Sequence, residues 1–546
     1  TLLYFFITIP IVSSKHSNRT KKHTRRLSDT NTNQINNETM GWSLGGDEDE
    51  KLFYMYDLPE EFWWSWPKDS ANCTGSGYVG HEHKALSGIG EPVRPDDGLF
   101  LTWHFSLFSS LYNRFKRSRM RTYDPEKASL FIIPYDLSLD GFVNPRNCKT
   151  RRFCSHGRAK KLQSIISESK YFQRYNGKDH AVLWSLGQYN PYPLEWCDAF
   201  MMKFCKNCMF TCYWMDPLLV DNRFVSVPFP AAYHWHDNII NIPWDTKRAH
   251  ERNISAVYLG STQTLTPPHT HIRRAMAEQC VKHKYCEWLK IAHSSVDGSI
   301  SDYLQIYKKS VFCLSPPGDD PGRKAVFDAI VSGCIPVIFH PSTIYNQYHW
   351  HLSEEDSLDI SISVPGILVK SNKFQFMDFL LSIDMDVIKA KQEAIARIAP
   401  GLQYAIPPIK NLQNRYDSTP WDPPFLDGAD LILLGMFDRV SHLLKNESVG
   451  IPRVVMSLEK WGQRYADPIA HKPGTSIDIY PHSNVTDFDS KDKKFRIKSH
   501  KHTHTIKRIY NIDTSSNSNT NSNNNKHHGK NAHSRNYKNK GKSNQI

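Results

Sequence analysis

The chain has 546 residues, of which 39% are hydrophobic and 12% aromatic, and this is enough apolar material for the cores of two or three domains. Its net charge of +13 resides in the ends: residues 1–46 carry +4 and residues 490–546 carry +12, which leaves −3 for the 443 residues between them. Because the folded part lacks the excess positive charge that nucleic-acid binding requires, we predict no nucleic-acid partner.

Residues 1–46 open with the apolar run TLLYFFITIPIV and continue as a polar segment that cannot form a core. This run is too short to span a bilayer, but it is typical of a truncated signal anchor or of the apolar part of a signal peptide. We predict a stem here, with membrane attachment through this segment. The basic residues between Lys15 and Arg26 would be cytosolic under the positive-inside rule, which conflicts with a lumenal domain unless the signal is cleaved.

Asn-X-Ser/Thr triplets and cysteines favour the secretory route. The triplets begin at Asn18, Asn37, Asn72, Asn253, Asn446 and Asn484. Four cysteines lie close together, and we favour disulfides over zinc because no second Cys-X-X-Cys pair follows at zinc-finger spacing; they are Cys197, Cys205, Cys208 and Cys212. Cys280 and Cys286 are another possible pair, whereas Cys313 and Cys334, on predicted buried strands, are the expected free thiols.

The first half of the chain predicts alternating strands and helices. Apolar runs predict strands over 51–59, 130–133 and 181–184, and apolar residues at a spacing near 3.6 predict a helix over 99–116. The later run Tyr233-His-Trp-His236 holds two histidines without an acidic third ligand nearby, so we predict no metal there.

The second half repeats a strand, loop and helix pattern. A strand over 255–260 is followed by a helix that contains Arg273, and a short helix is predicted over 303–309. Further along, Ser382-Ile-Asp384-Met-Asp386 has the form of a metal-binding D-X-D motif. We interpret it instead as the N-cap of a helix over 387–398, with acidic residues in the first turn. A last amphipathic helix is predicted over 429–444.

The segment SVFCLSPPGDDPGRKAVFDAIVSGCIPVIFHP, residues 310–341, carries the strongest signal. It predicts a strand over 311–314, a Pro/Gly loop over 315–322, a helix over 323–332 and a second strand over 335–339. Gly333 occupies the position where a helix ends in a left-handed residue. This is half of a βαβ unit, and a loop that leaves a parallel strand and opens a helix is a site where an anion binds.

Charged residues at that helix start suggest which anion. Arg323 lies in the first turn, where it opposes the helix dipole and therefore calls for an anion or solvent. Asp328 is close enough to reach a ribose hydroxyl while Arg323 holds a diphosphate. The alternative is that Lys324 and Asp328 form an ordinary surface ion pair at i,i+4. Neither the Rossmann dinucleotide fingerprint nor the P-loop motif is present.

PPGDDPGRKAVFDAIVSGCIPVIFHP, followed by YNQYHWHL at 345–352, resembles the signature of the exostosin-like glycosyltransferases and is most similar to their plant xyloglucan galactosyltransferase branch. Animal exostosins carry their arginine where this chain has Ala325, so the plant arrangement with Arg323 is the one matched. The resemblance implies an α/β fold of the GT-B type, with two facing Rossmann-like domains and a cleft between them. It implies an acceptor-binding domain over 47–245 and a nucleotide-sugar domain over 246–445. Composition predicts disordered basic tails, with an extension over 446–546 that is low in complexity from about 487.

The resemblance also implies a set of site residues. Those expected at the nucleotide-sugar are Gly260, Arg273, Gly318, Arg323, Lys324 and Asp328, with Asp328 on the ribose. A transfer that inverts the sugar needs one general base near the acceptor hydroxyl. The candidates in the acceptor half are His104, Asp136, Asp140 and His180, each with a structural alternative such as a turn for Asp140 and packing for His180.

The function implied by the resemblance is inverting transfer of a sugar, galactose first, from a UDP-linked donor to a polysaccharide or glycan hydroxyl. We expect no cofactor and no metal, because protein cations would stabilise the leaving diphosphate. The expected location is the Golgi membrane, with the catalytic domain in the lumen. The alternative hypothesis is a carbohydrate-binding protein with the same fold and no turnover.

Overall fold

The computed structural model describes residues 51–59, 62, 89–102, 104, 106–135, 156–185, 187, 204–216, 221–236, 252–289, 300–407 and 418–445. The stem predicted for 1–46, the extension predicted for 446–546 and the domain boundary predicted at 245 lie outside these residues, and so do Asp136, Asp140 and Cys197.

The first sheet has six strands, all parallel, in the order β4-β1-β5-β6-β7-β8. Leu130–Ile133 at its centre is buried along its whole length, as expected for a strand covered on both faces. The strands are β1 (Phe53–Met55), β4 (Arg121–Thr122), β5 (Leu130–Ile133), β6 (His180–Val182), β7 (Met209–Cys212) and β8 (Phe224–Ser226). A separate antiparallel pair is formed by β2 (Glu91–Arg94) and β3 (Leu99–Leu101).

The helix predicted over 99–116 is wrong in its first part. Leu99–Leu101 is a strand, and α1 begins only at Leu107 and runs to Phe115. The Phe100 N–H donates to the Ala232 carbonyl at 3.0 Å, and Leu99 bridges to Tyr233. Pairing with distant segments therefore overrides the local helical spacing of the apolar residues.

The second sheet has five parallel strands in the order β10-β9-β11-β12-β13. They are β9 (Ile254–Leu259), β10 (Cys286–Leu289), β11 (Ser310–Ser315), β12 (Ile335–Ile338) and β13 (Ile362–Ser363). The strand, helix and strand predicted over 310–341 are confirmed, and Gly333 has the expected positive φ of 67°. The crossover helix is short, however, with seven residues from Lys324 to Ile330.

The helices flank these sheets. Besides α1 they are α2 (His156–Ser167), α3 (Lys170–Tyr175), α4 (Pro267–Lys282), α5 (Ile300–Lys309), α6 (Lys324–Ile330), α7 (Glu354–Asp359), α8 (Gly366–Lys370), α9 (Phe376–Leu381), α10 (Met385–Ile398) and α11 (Gly428–Leu444). Asp384 is the N-cap residue of α10, as predicted, although its side chain makes no capping bond. Among the described residues, no helix combines the length and the apolar character needed to cross a bilayer.

Helix α11, at the end of the predicted donor half, packs on the first sheet. Its Ile432, Leu433 and Met436 are buried in one cluster with strand residues of that sheet. An ion cluster fixes it further: buried Arg114 of α1 binds Asp427 at 3.1 Å and Asp430 at 2.6 Å. Burial alone would lower the pKa of Arg114, but the carboxylates of its partners raise it. Helix α11, at the end of the described residues, is therefore anchored to α1 and to the first sheet.

Direct contacts join the two sheets at their carboxyl edges. The Gln347 amide bonds the backbone N–H and carbonyl of Met215, at 3.0 and 2.8 Å. Tyr348, which is buried with a positive φ of 61°, donates its hydroxyl to the Tyr213 carbonyl at 3.0 Å. Since both loops follow parallel strands, the carboxyl ends of the two sheets face each other. This is the α/β architecture of the GT-B type, with a cleft where the strand ends meet.

The disulfides correct one prediction and confirm another. Cys280 and Cys286 are bonded, as predicted. Cys313 and Cys334, predicted as free thiols, are also bonded, because β11 and the start of β12 are neighbours and bring their Cα atoms to 5.9 Å. The disulfides predicted around Cys205 are not formed within the described chain: the three described members of that cluster are buried thiols, Cys205, Cys208 and Cys212.

Candidate active site

The loop between β11 and α6 is held in place by its neighbours. The Asp319 carboxylate accepts the N–H of Leu265 at 2.7 Å, which ties this loop to the one after β9. The Gly318 carbonyl accepts the Nδ1–H of buried His269 on α4, also at 2.7 Å. A third bond, from the Gly318 N–H to the Asp320 carbonyl at 2.8 Å, closes the turn. The loop is thus preorganised at the cleft.

Two guanidinium groups converge over Gly318. A methyl group on this glycine would overlap Nη1 of Arg323 and lie 3.4 Å from Nη2 of Arg273. Arg273 comes from α4 and is 3% exposed; its Nε donates to the Pro317 carbonyl at 2.7 Å and its Nη1 to the Ser261 carbonyl at 2.8 Å. The structure therefore brings together Arg273, Arg323, Gly318 and the loop that begins at Gly260.

This cation pair is not neutralised by a direct ion pair within the described part of the chain. Among the residues that the structure describes, Nη2 of Arg273 is buried without a hydrogen bond, and neither arginine forms an ion pair with a carboxylate. Burial, together with the charge of Arg323, lowers the pKa of Arg273 to about 10. A buried donor and two adjacent positive charges favour an anion that accepts several hydrogen bonds, which is the chemistry of a phosphate group.

The positive charge at the anion site comes from a different source than the predicted helix start. Helix α6 has only seven residues and begins after Arg323, which is its N-cap with extended φ and ψ. A helix this short has a small macrodipole, so the side-chain cations rather than the helix start account for the positive charge.

Lys324 and Asp328 of this helix pair with each other. Lys324 Nζ is 2.7 Å from both carboxylate oxygens of Asp328, so the ion pair named as the alternative is present. Asp328 Oδ1 also accepts the N–H of Ala232, from the segment after β8, at 2.9 Å. In this structure the Asp328 carboxylate joins the two halves of the molecule, and its role on a ribose stays a prediction.

His180 is embedded in the first sheet. Its side chain is fully buried, with Nδ1 2.7 Å from Asp179 Oδ1 and Nε2 2.8 Å from the Tyr56 hydroxyl. Its ring stacks on Phe131 at 5.0 Å, and burial lowers its pKa. The burial of this ring and its bonds to Asp179 and Tyr56 match the packing alternative, and its candidacy as the general base stays a prediction.

The structure gives less information on the other three predicted bases, His104, Asp136 and Asp140. His104 is half-buried and lies three residues before α1. Asp136 and Asp140 lie outside the described residues, and their candidacy stays a prediction. In the described ranges, no group of three or more His, Cys, Asp or Glu side chains comes close enough to hold a metal ion.

Asp320 is a site residue that the sequence reasoning missed. Its half-buried carboxylate faces the end of the first sheet, where a methyl group on Gly187 would lie 3.8 Å from Oδ2. Burial raises its pKa to about 7, although the positive charge of Arg323 opposes this. The available signal was the doubled acid in a Pro/Gly loop: Asp319 bonds the backbone of the loop after β9, and Asp320 faces the first sheet.

Two facing parallel sheets, with two arginines paired over a rigid loop where their carboxyl ends meet, define the chain as a glycosyltransferase of the GT-B type. A family model for the exostosin GT47 domain matches residues 48–375. The chain belongs to the exostosin GT47 family, as its motifs predicted.

Three relatives, all from Arabidopsis thaliana, match over most of this chain. The protein named "Probable xyloglucan galactosyltransferase GT17" is 28% identical over 70% of this chain and 81% of its own length. "Xyloglucan galactosyltransferase MUR3" is 24% identical over 76% and 66%, and "Xyloglucan-specific galacturonosyltransferase 1" is 24% identical over 72% and 57%.

Among solved structures, a glycosyltransferase from Rickettsia africae covers 63% of this chain and 96% of its own length. Its sequence identity is 9% and the TM-score is 0.32.

Proposed function

We propose that this chain transfers galactose from UDP-galactose to a hydroxyl of xyloglucan, with inversion at the sugar C1. The observation that carries the proposal is the pair of arginines over Gly318, one of which has a buried N–H donor without a partner. The names of the relatives support xyloglucan as the acceptor and galactose as the first sugar to test. Galacturonic acid is the second, because one relative is named for it.

The proposed reaction is a single displacement at C1 of the donor sugar, which takes place in the cleft. The acceptor hydroxyl attacks C1 of the donor sugar while the bond from C1 to the diphosphate oxygen breaks. Arg273 and Arg323 would bind the diphosphate and stabilise the charge that grows on it, without a metal or another cofactor. Lys324 would add positive charge beside this loop, and Asp328 would accept a hydrogen bond from a ribose hydroxyl at Oδ2, whose contact among the described residues is with Lys324.

The proposed location is the lumen of the Golgi apparatus, with the chain attached to the membrane through an N-terminal segment. Two disulfides, Cys280–Cys286 and Cys313–Cys334, support an oxidising compartment. The triplet at Asn253 begins with an exposed side chain just before β9, where an N-glycan has room. Removal of N-glycans should lower the apparent mass, and a fluorescent fusion should coincide with a Golgi marker.

The decisive test is a screen of UDP-sugars with galactose-free xyloglucan as the acceptor. We expect transfer from UDP-galactose, and an inverting reaction on this α-linked donor gives a β-linked product, which NMR of the anomeric proton identifies. An α-linked product would contradict inversion. If UDP-galacturonic acid is the one donor that supports transfer, galacturonic acid replaces galactose as the transferred sugar in the proposal. A chain that binds UDP but transfers none of the tested sugars would contradict the proposal.

A further inference from the structure

A sugar transfer of the proposed kind needs a base beside the acceptor, and the cleft contains a carboxylate suited to this task. Asp320 belongs to the loop of the second sheet, but its carboxylate points at the first. Gly187 and Trp214, which form a parallel bridge at the ends of β6 and β7, lie against it. The carboxylate thus lies where the two sheets meet, on the loop that also leads to Arg323.

The surroundings of this carboxylate leave it able to accept a proton. Among the described residues, no cation forms an ion pair with it, and the Gly322 N–H and the charge of Arg323 favour its ionised form. Its neighbour Asp319 differs, because that carboxylate is bonded to the loop after β9. The half-buried Asp320 carboxylate therefore keeps the capacity to accept a hydrogen bond from a hydroxyl.

Gly187 and Trp214 border the Asp320 carboxylate directly. Gly187 has no side chain, and its carbonyl is fixed by the indole N–H of Trp184 at 3.1 Å. The ring of Trp214, which is 7% exposed, lies 3.6 Å from the position of a methyl group on Gly187, so an apolar ring lies on this side of the carboxylate.

We propose that Asp320 is the general base that takes the proton from the acceptor hydroxyl. This inference rests on the proposed function. As the hydroxyl oxygen forms its bond to C1, its proton passes to the Asp320 carboxylate. The bond from C1 to the diphosphate oxygen breaks, and its electron pair leaves with UDP, whose charge Arg273 and Arg323 stabilise.

The charges around Asp320 suit this role near neutral pH. Of the described titratable groups, Arg323, Asp319, Tyr213 and Tyr348 act on it or feel its charge. Burial raises its pKa to about 7, and a base with a pKa near the working pH combines the ionised form with useful proton affinity. The ionised carboxylate is present above that pKa, so the rate should fall as the pH drops through about 7.

The test compares Asp320→Asn, Asp320→Glu and the wild type, with Asp386→Asn as a matched control. Asp386 is 97% exposed on α10, so its variant makes the same carboxylate-to-amide change outside the cleft. The measurements are kcat with UDP-galactose and galactose-free xyloglucan between pH 5 and 9, and the Kd of UDP by calorimetry. UDP binding separates loss of the base from loss of the fold or of the donor site.

For Asp320→Asn we expect kcat to fall by about 10²–10⁴-fold, while the Kd of UDP stays within about twofold. Its residual rate should lose the decline below pH 7 that the wild type shows, and Asp320→Glu should recover part of the rate with a displaced decline. A kcat within about threefold of the wild type would overturn the inference.

An equal loss of UDP binding in Asp320→Asn would also overturn the inference, because the residue would then act through Arg323. If the wild type binds UDP but transfers no sugar, the proposed function and the inference fail together. If the wild type transfers and Asp320→Asn transfers equally well, the inference alone fails.

Discussion

At the residue scale, Gly318 is important because it has no side chain. Its missing side chain leaves the space that the Arg323 guanidinium occupies beside Arg273. A methyl group there meets the far end of a flexible side chain rather than backbone, so the change should displace Arg323 and leave the fold intact. The absence of a side chain at residue 318 therefore lets the two guanidinium groups come together where the anion is expected to bind.

We therefore predict that Gly318→Ala lowers kcat/KM for UDP-galactose by on the order of 10²-fold with little change in thermal stability, because a displacement of about 1 Å at a reacting centre costs that much. Steady-state kinetics and thermal unfolding measure the two effects. The double variant with Arg323→Ala should be no slower than Arg323→Ala alone, since both changes remove one interaction. Fully additive losses would show that the glycine acts elsewhere.

Arg323 itself is the second prediction at this scale. Arg323→Ala should lower the stabilisation of the transition state by about 2–4 kcal/mol, which kcat/KM measures. Arg323→Lys should recover only part of it, because an ammonium group cannot match the planar fork of a guanidinium on a phosphate. An unchanged rate in the alanine variant would contradict the assignment of this residue to the diphosphate.

At the element scale, two buried histidines fasten the C-terminal segment to the rest. His234 bonds the Tyr404 carbonyl through Nδ1 at 2.8 Å, and His351 bonds the Gly428 carbonyl, at the start of α11, through Nε2 at 3.0 Å. Burial lowers the pKa of each to about 4, below the ordinary value for histidine of about 6.5. Both are therefore neutral in the folded chain at pH values where the unfolded chain already protonates them.

It follows that the contribution of these two histidines to the free energy of unfolding is fully present above about pH 6.5 and is lost as the pH drops toward about 4. Each histidine adds a slope of up to about 1.4 kcal/mol per pH unit in that window. Denaturant unfolding at several pH values measures this slope. The variant His351→Gln keeps a donor near the Gly428 carbonyl but no longer titrates, so its slope should be smaller; an identical slope would contradict this account.

At the scale of the whole molecule, we predict that transfer does not need a divalent metal. Two protein cations already face the expected diphosphate. Initial rates should be the same with excess EDTA and with added Mn²⁺ or Mg²⁺. A rate that EDTA abolishes and a metal restores would contradict it; a metal-requiring transferase in parallel controls for chelation.

Elements defined by local sequence signals could be predicted, whereas elements defined by distant contacts could not. Residues 310–341 could be predicted closely because apolar strands, Pro/Gly breaks and Gly333 give local signals that agree. Leu99–Leu101 could not, because its pairing partners lie far away in the sequence. The same limit explains Asp320 and His180: burial and partners set the pKa and the access of a side chain, and these depend on tertiary contacts rather than on sequence spacing.

The Cys313–Cys334 bond has a practical consequence for producing the protein. The bond closes a ring that contains the whole loop and helix α6, so the backbone that carries Arg323 is covalently confined at both ends. Closure of a ring of this length stabilises a fold by about 3 kcal/mol. A chain made in the reducing cytosol of a bacterial host would lack this closure, and an inactive preparation from such a host would reflect the expression system rather than the enzyme. Secretion from a yeast or insect cell is the appropriate source for every measurement named above.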